Sequence, residues 1–404
     1  MEGVTYLRPR SHRKRGAHME IRSQPSRGSG PGAPGPTSGP FDGACGLSSA
    51  LEAWFPAAAR TLPWRTERSG YRALVSELML QQTQVSRVLG AFDRFVARFP
   101  DPRALAEAPE DEVLALWQGL GYYRRARLLQ AAARAVCDRH GGTVPDDPEA
   151  LRALPGVGRY TAGAIASIAF GRREPIVDGN VLRVLSRVAG RASRAGDAAD
   201  ERWAWEQAGR LVEAATDPGV ANEALMELGA TVCTPAAPRC DACPLAGRCA
   251  ARRAGTQASI PLPRRPAARR TLHWHALVDS GPAGLLLEQR PSRGLWAGLL
   301  QPPTAEADAP VATPELSERW GTEIREVGAF VHVTSHRDVS FRVFVPRAGG
   351  AASVPGARRV PLGELPSCPL SNAAWRTFEC AGLPVRTPPS ASPGPRARSA
   401  RSGS

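Results

Sequence analysis

The chain has 404 residues, 42% of them hydrophobic and 22% charged, with a formal net charge of +14. That length implies two or three domains, and the apolar content suffices for packed cores. No apolar run reaches the ~18 residues of a membrane helix, and the basic N-terminus lacks the apolar segment of a secretory signal, so neither is expected.

The basic excess favours a polyanionic partner through counterion release, although an arginine-rich composition also serves solubility. Much of the charge sits at the two ends. Arg8, Arg10, Arg13, Lys14, Arg15, Arg22 and Arg27 face only Glu2 and Glu20 in the first 28 residues, and Arg386, Arg396, Arg398 and Arg401 have no acid beside them. Lys14 is the only lysine.

Residues 1–46 are rich in Arg, Gly, Pro and Ser, which predicts a disordered basic extension. A domain is read over 47–251, and from Leu47 to about Gly229 its apolar spacing is helical, as in Tyr71, Leu74, Val75, Leu78 and Val85. Gly and Pro clusters punctuate that stretch, which predicts nine to eleven short helices and no sheet there. Within it, Glu77 has Ala73, Leu74, Leu80 and Gln81 as helical neighbours. A glutamate among apolar neighbours loses solvation, and its raised pKa suits a general acid. The same pattern also fits a Glu at the edge of an ordinary amphipathic helix.

Pro155, Gly156, Val157 and Gly158 form the next signal. Two glycines flank a valine just before a helical run, a tight turn whose backbone N–H groups point outward beside a helix N-terminus. Such a turn holds a phosphate without any side chain. Asp178 then precedes Gly179, Asn180 and another helical run. It fits an N-cap, and the helix dipole favours its ionised form. A protonated Glu facing an ionised Asp is the arrangement that cleaves glycosidic bonds.

Cys233, Cys240, Cys243 and Cys249 are spaced C-x6-C-x2-C-x5-C. Four thiolates in one short loop (233–249) suit zinc or a [4Fe–4S] cluster, and spacing alone leaves both open. The loop also carries Arg239 and Arg248, candidates for phosphate contact. Residues 252–270 read as a linker. From 271 to 382 the pattern changes to a smaller α+β domain. There 275–278 and 284–287 read as a hairpin, and Val339–Val345 alternates with period two. Residues 383–404 read as a second disordered basic tail.

These motifs resemble the helical DNA glycosylases of the endonuclease III superfamily, and specifically the adenine DNA glycosylase (MutY) branch. The matching stretches are Leu62–Arg65, Ser76–Val85, Leu116–Tyr123, Leu154–Gly163, Val177–Asn180 and the four cysteines. The resemblance is dense over 47–250. It is weaker over 271–380, where Gly294–Leu299 and Ser335-His336 resemble that family's Nudix-like C-terminal domain. It implies a multi-domain chain: an all-α helix-hairpin-helix glycosylase domain with a four-cysteine iron–sulfur loop, then a smaller α+β Nudix-like domain.

The resemblance also implies roles. Glu77 protonates the adenine ring, Asp178 stabilises the sugar cation, Asn180 positions Asp178, and Tyr160 assists in the same pocket. Gln82 and Tyr122 enter the base stack as adenine is extruded, a step required because the bond is inaccessible in the duplex. Arg60, Trp64 and Glu223 line the adenine pocket. Ser335 and His336 read 8-oxoguanine opposite the target. The cofactor is a [4Fe–4S] cluster, and the partner is double-stranded DNA carrying A:8-oxoguanine or A:G mispairs. Strand-nicking relatives place a lysine where this chain has Tyr160, so no lysine imine is available and the product is an abasic site. The family's aromatic residue before Ser-His is Thr334 here, which weakens lesion sensing without removing it. The acidic cluster of Nudix hydrolases is absent, so nucleotide hydrolysis is not expected.

Two other readings are kept. One is an oxidised-pyrimidine glycosylase with lyase activity, disfavoured by Tyr160. The other is a non-catalytic helix-hairpin-helix DNA-binding protein, disfavoured by the joint presence of Glu77 and Asp178. The protein is expected to be monomeric, free of the membrane, and cytoplasmic in a bacterial cell, with a nuclear or organellar location left open.

Overall fold

The computed structural model describes residues 41, 43–263, 269–334, 336–347 and 352–384. The first half is helical: α1 (Ala44–Ala58), α2 (Pro63–Thr66), α3 (Gly70–Leu80), α4 (Val85–Arg98), α5 (Pro102–Glu107), α6 (Glu110–Leu116), α7 (Arg124–His140), α8 (Pro148–Arg152), α9 (Arg159–Phe170), α10 (Gly179–Ala189), α11 (Ala198–Glu213), α12 (Pro218–Thr231) and α13 (Ala250–Arg253). The helices outnumber the nine to eleven expected because one-turn elements such as α2 and α8 carry too few residues to show a period. α1 begins within the segment expected to be disordered, since Phe41 and Leu47 bury their side chains against α11 and α12. Among the described residues, no helix is long and apolar enough to cross a membrane.

Apolar spacing sorts these helices into two cores. The first joins α3 to α9 around Leu74, Phe92, Trp117, Leu129 and Ile165. The second joins α1 with α10, α11 and α12 around Leu51, Val181, Leu211 and Leu225, and takes in Leu245 of the cysteine loop. Local signals place the boundaries. Ser69, Asp101, Asp147, Asp178, Asp197 and Asp217 each cap a helix N-terminus through the side chain. Gly141, Gly171 and Gly190 close α7, α9 and α10 in the left-handed conformation.

The front of the expected linker is not free. The Ile260 carbonyl accepts a hydrogen bond from Arg187 Nε at 2.8 Å, and Leu262 N donates to Ser193 O at 2.8 Å. Composition hides this because the partners, Arg187 of α10 and Ser193 just after it, lie far back in the chain. Residues 264–268 lie outside the described residues.

The second half is α+β. Its strands are β1 (Arg270–Leu277), β2 (Ser280–Gly281), β3 (Gly284–Gln289), β4 (Leu300–Gln301), β5 (Thr304–Ala307), β6 (Ile324–Val333), β7 (Arg337–Pro346) and β8 (Arg358–Val360), with helices α14 (Thr313–Trp320) and α15 (Asn372–Cys380). One sheet runs β5-β1-β7-β6, with β1 and β7 parallel. The other joins β2, β3 and β4, with β8 on β3. The expected pairing of 275–278 with 284–287 does not form as a single hairpin. β1 pairs β5 and β7, while β3 pairs β2, β4 and β8. Both segments are continuous apolar runs buried at their paired ends, and such runs do not name their partner.

The two halves share a core. Leu299 is fully buried among the helical side chains of the first core, and Trp296 packs against the same cluster. Tyr123 Oη donates to Leu370 O at 2.9 Å across the same junction.

Candidate active site

The seam between the two helical cores gathers the acidic residues. α3 buries Tyr71, Leu74, Val75, Leu78 and Met79, which leaves Glu77 partly buried on its other side. Tyr160, at the start of α9, donates its hydroxyl to Met226 Sδ of α12 at 3.1 Å and stands close enough to Glu77 for each to shift the other's pKa. Burial pushes Glu77 up to about 8, and the charges of Asp178 and Glu223 push it the same way, against the Tyr160 hydrogen bond. Burial and the neighbouring Glu77 and Asp178 also raise Tyr160 well above its ordinary value. Glu77 therefore keeps its proton near neutral pH.

Asp178 caps α10, its Oδ1 accepting from Val181 N at 2.7 Å. Its Oδ2 accepts from Asn180 Nδ2 at 3.0 Å. Asn180 Oδ1 in turn accepts from an Arg183 guanidinium nitrogen at 2.8 Å, and Arg183 also donates to Gly229 O and Cys233 O. Two glycines bring this segment in. A Cβ on Gly163 of α9 would stand 2.6 Å from Pro175 O, and one on Gly229 of α12 would stand 2.7 Å from Asn180 Cβ.

Beside the pair lies an arginine–glutamate network that the sequence reading caught only in part. Glu223 and Glu227 of α12 are buried. Arg65 bridges them at 2.8 and 3.0 Å, Arg68 adds to Glu223, and Arg60 pairs with Glu227 at 2.6 Å. Burial alone would raise Glu227, but the Arg60 hydrogen bond and the Arg65 charge hold it below its ordinary value. Trp64 packs edge-on to Phe92 against the first core, with ring centroids 5.5 Å apart. The missed members, Arg65, Arg68 and Glu227, carry one sequence signal: two acids four apart in an otherwise apolar helix need buried cations.

The expected phosphate turn joins α8 to α9. Gly156 takes φ +79°, and a Cβ there would stand 2.8 Å from Leu128 Cβ. Gly158 sits at the N-cap of α9 in extended backbone and supplies no side-chain cap. The first-turn N–H groups of α9 therefore have neither an intrahelical nor a side-chain cap partner. Gln82 and Tyr122 are both exposed, and both hold left-handed backbone, φ +56° and +49°. Non-glycine residues keep that conformation only where surroundings impose it, and it clusters at functional sites.

Cys233, Cys240, Cys243 and Cys249 line one small cavity with Val232, Pro238 and Ala246. Burial pushes the Cys243 thiol up to about 11, with the other three cysteines adding in the same direction. Arg187 of α10 donates to Cys233 Sγ at 3.3 Å. A set of four sulfurs without histidine or carboxylate fits an iron–sulfur cluster or zinc. Among the described residues, no group of three or more His, Cys, Asp or Glu is arranged to close on a metal ion. Arg239 and Arg248, expected to meet phosphate, donate to Thr231 O and Gly43 O.

In the second half, β6 and β7 meet in a tight turn. Thr334 closes it: its Oγ1 donates to Arg337 O at 2.9 Å and accepts from Arg337 N at 3.1 Å. His336 is exposed at that tip. Ser335 lies outside the described residues.

Residues 75–207 match the HhH-GPD superfamily of base excision DNA repair proteins, and residues 273–379 match the NUDIX domain. This chain is 36% identical over 397 residues to the Homo sapiens adenine DNA glycosylase, covering 81% of this chain and 72% of that one. It is 45% identical over 216 residues to the adenine DNA glycosylase of Mycobacterium tuberculosis (strain ATCC 25618 / H37Rv), covering 53% of this chain and 70% of that protein. A solved thermostable thymine-DNA glycosylase is 28% identical with a TM-score of 0.48, over 53% of this chain and 99% of its own. The fold and site thus define a helix-hairpin-helix base excision repair protein with a Nudix-like domain. Within that class, the chain belongs to the adenine DNA glycosylase family.

Proposed function

We propose that this chain extrudes adenine mispaired with 8-oxoguanine or guanine from duplex DNA and hydrolyses its N-glycosidic bond. What carries this reading is the gathering of Glu77, Tyr160 and Asp178 in one seam, where burial and the charges of Asp178 and Glu223 raise Glu77. Glu77 gives its proton to a ring nitrogen of adenine, and the C1′–N bond breaks with its electron pair leaving on the base. Asp178, held by Val181 N and Asn180, faces the positive charge that develops on the sugar. Water adds at C1′, and its proton returns to a carboxylate. Tyr160 stands where a lysine would be needed for an imine, so the strand stays intact and an abasic site remains.

The α8–α9 turn binds backbone phosphate, and His336 with Ser335 reads the opposite base. Cys233, Cys240, Cys243 and Cys249 would hold a [4Fe–4S] cluster, which would tie down the chain that follows α12 and supply no step of bond cleavage. The protein works as a monomer on double-stranded DNA, in the cytoplasm of a bacterial cell, with a nucleus or organelle as the alternative location.

The test is incubation with duplexes carrying adenine opposite 8-oxoguanine, guanine or cytosine, followed by alkali. Strand breaks at the mispaired adenine only after alkali are expected. Breaks without alkali would favour lyase activity, and no adenine release from any duplex would leave the oxidised-pyrimidine and binding-protein readings.

A further inference from the structure

Arg125, in the first turn of α7, lies outside every catalytic motif, yet it is buried and makes six hydrogen bonds. One terminal nitrogen donates to Leu78 O at 2.7 Å, to Met79 O at 2.8 Å and to Gln81 O. These carbonyls sit at the end of α3, where intrahelical partners run out. The other terminal nitrogen donates to Thr83 Oγ1 at 2.9 Å, Leu120 O at 3.2 Å and Gly121 O at 3.0 Å. The guanidinium also stands 5.4 Å from the ring centroids of both Trp117 and Tyr122.

The partners bracket two residues. Gln82 lies between Gln81 and Thr83, both held by Arg125. Tyr122 follows Gly121, also held, and its ring meets the same cation. These are two of the three non-glycine residues with left-handed backbone among the described residues. A strained backbone persists only when its surroundings over-determine it, and here one planar group does so for two loops far apart in sequence. The geometry points to Arg125 as the positioning residue that sets Gln82 and Tyr122 together for insertion beside the extruded base. This rests on the adenine-excision reading above.

Lysine cannot replace it. A guanidinium presents a rigid fork of donors in one plane, whereas an ammonium is a single point with three donors. Arg125→Lys keeps the charge and loses the simultaneous grip on both loops.

The experiment places 2-aminopurine at the target position of a duplex and reads its fluorescence rise on unstacking. In parallel it measures single-turnover adenine release from an A:G duplex, with the unfolding midpoint as a control for folding. Arg125→Lys should reduce the unstacking signal and slow release by about 10–100-fold, the scale of a small misplacement. In the Gln82→Ala/Tyr122→Ala background the same change should add little, because its targets are gone. Normal unstacking and release in a folded Arg125→Lys protein would overturn the proposal, as would an effect that multiplies undiminished onto the loop variants. Should Arg125→Lys not fold, Thr83→Val removes a single acceptor of the grip and should show a smaller loss of unstacking; an unchanged signal there would equally overturn it. A wild-type protein that releases no adenine would instead sink the adenine-excision reading, and the unstacking signal would still judge Arg125.

Discussion

Asn180 donates to Asp178 Oδ2 at 3.0 Å while Val181 N occupies Oδ1, so both carboxylate oxygens of Asp178 are fixed by the first turn of its own helix. Such a carboxylate is pre-oriented and meets a developing positive charge without rearrangement. Asp178→Asn should leave the fold and duplex binding intact and lower single-turnover adenine release by about 10²–10⁴-fold, the range of one positioned catalytic group. Glu77→Gln should do the same. Wild-type release by either variant would remove that residue from the mechanism.

The proton on Glu77 sets a pH dependence. Its folded pKa, about 8, lies above the ordinary 4.5, mainly through burial. Single-turnover release should therefore be level below that value and fall as pH rises through about 8. Stability follows the same sign. Between 4.5 and about 8 the folded state binds more protons than the unfolded state, so stability falls as pH rises across that window. Glu77→Gln should flatten the fall, as read by denaturant titration at several pH values. A wild-type protein and a variant with parallel pH–stability curves would contradict the assignment.

Gly229 gives α12 its approach to the Asp178 segment. A Cβ there would stand 2.7 Å from Asn180 Cβ and 3.1 Å from Asn180 O. Gly229→Ala should cost about 1–3 kcal/mol of stability by overpacking. Because the displaced residue holds Asp178, the rate of release should fall while duplex affinity stays near normal. Binding titration alongside single-turnover kinetics separates the two, and equal loss in both would argue for general damage.

Without Arg65, Glu223 would keep only Arg68 and Glu227 only Arg60. Arg65→Ala strips a guanidinium from both Glu223 and Glu227. It should destabilise the protein by about 1.5–3 kcal/mol, the scale of a hydrogen bond lost from a charged group. Chemical denaturation measures this, and a loss below about 1 kcal/mol would show that the site is solvated like a surface pair.

Cys243→Ser removes one sulfur from the shared cavity. Iron and sulfide content should drop together, with a lower unfolding midpoint. A purified wild-type protein containing zinc and no sulfide would replace the cluster assignment with a zinc site.

The readable parts of this molecule are those whose meaning is local. The α8–α9 turn, the Asp178 cap and the cysteine spacing each lie within a short stretch, and the structure places them as helix ends and a shared cavity. What escaped depends on distant partners. Arg125, Arg183 and Arg187 act on backbone carbonyls tens of residues away, and an arginine in a helix looks the same whether it faces water or a loop end. The β1 and β3 runs likewise carry apolar strength without naming a neighbour. Thr334 reads as the loss of an aromatic ring, whereas in the structure its hydroxyl ties the β6–β7 turn.

Leu299 belongs by sequence to the second half, yet its side chain completes the interior of the first. Expressed without the residues after 263, the helical half would open a socket lined with apolar side chains to water. Such a fragment should be less soluble and less stable than its helices alone suggest.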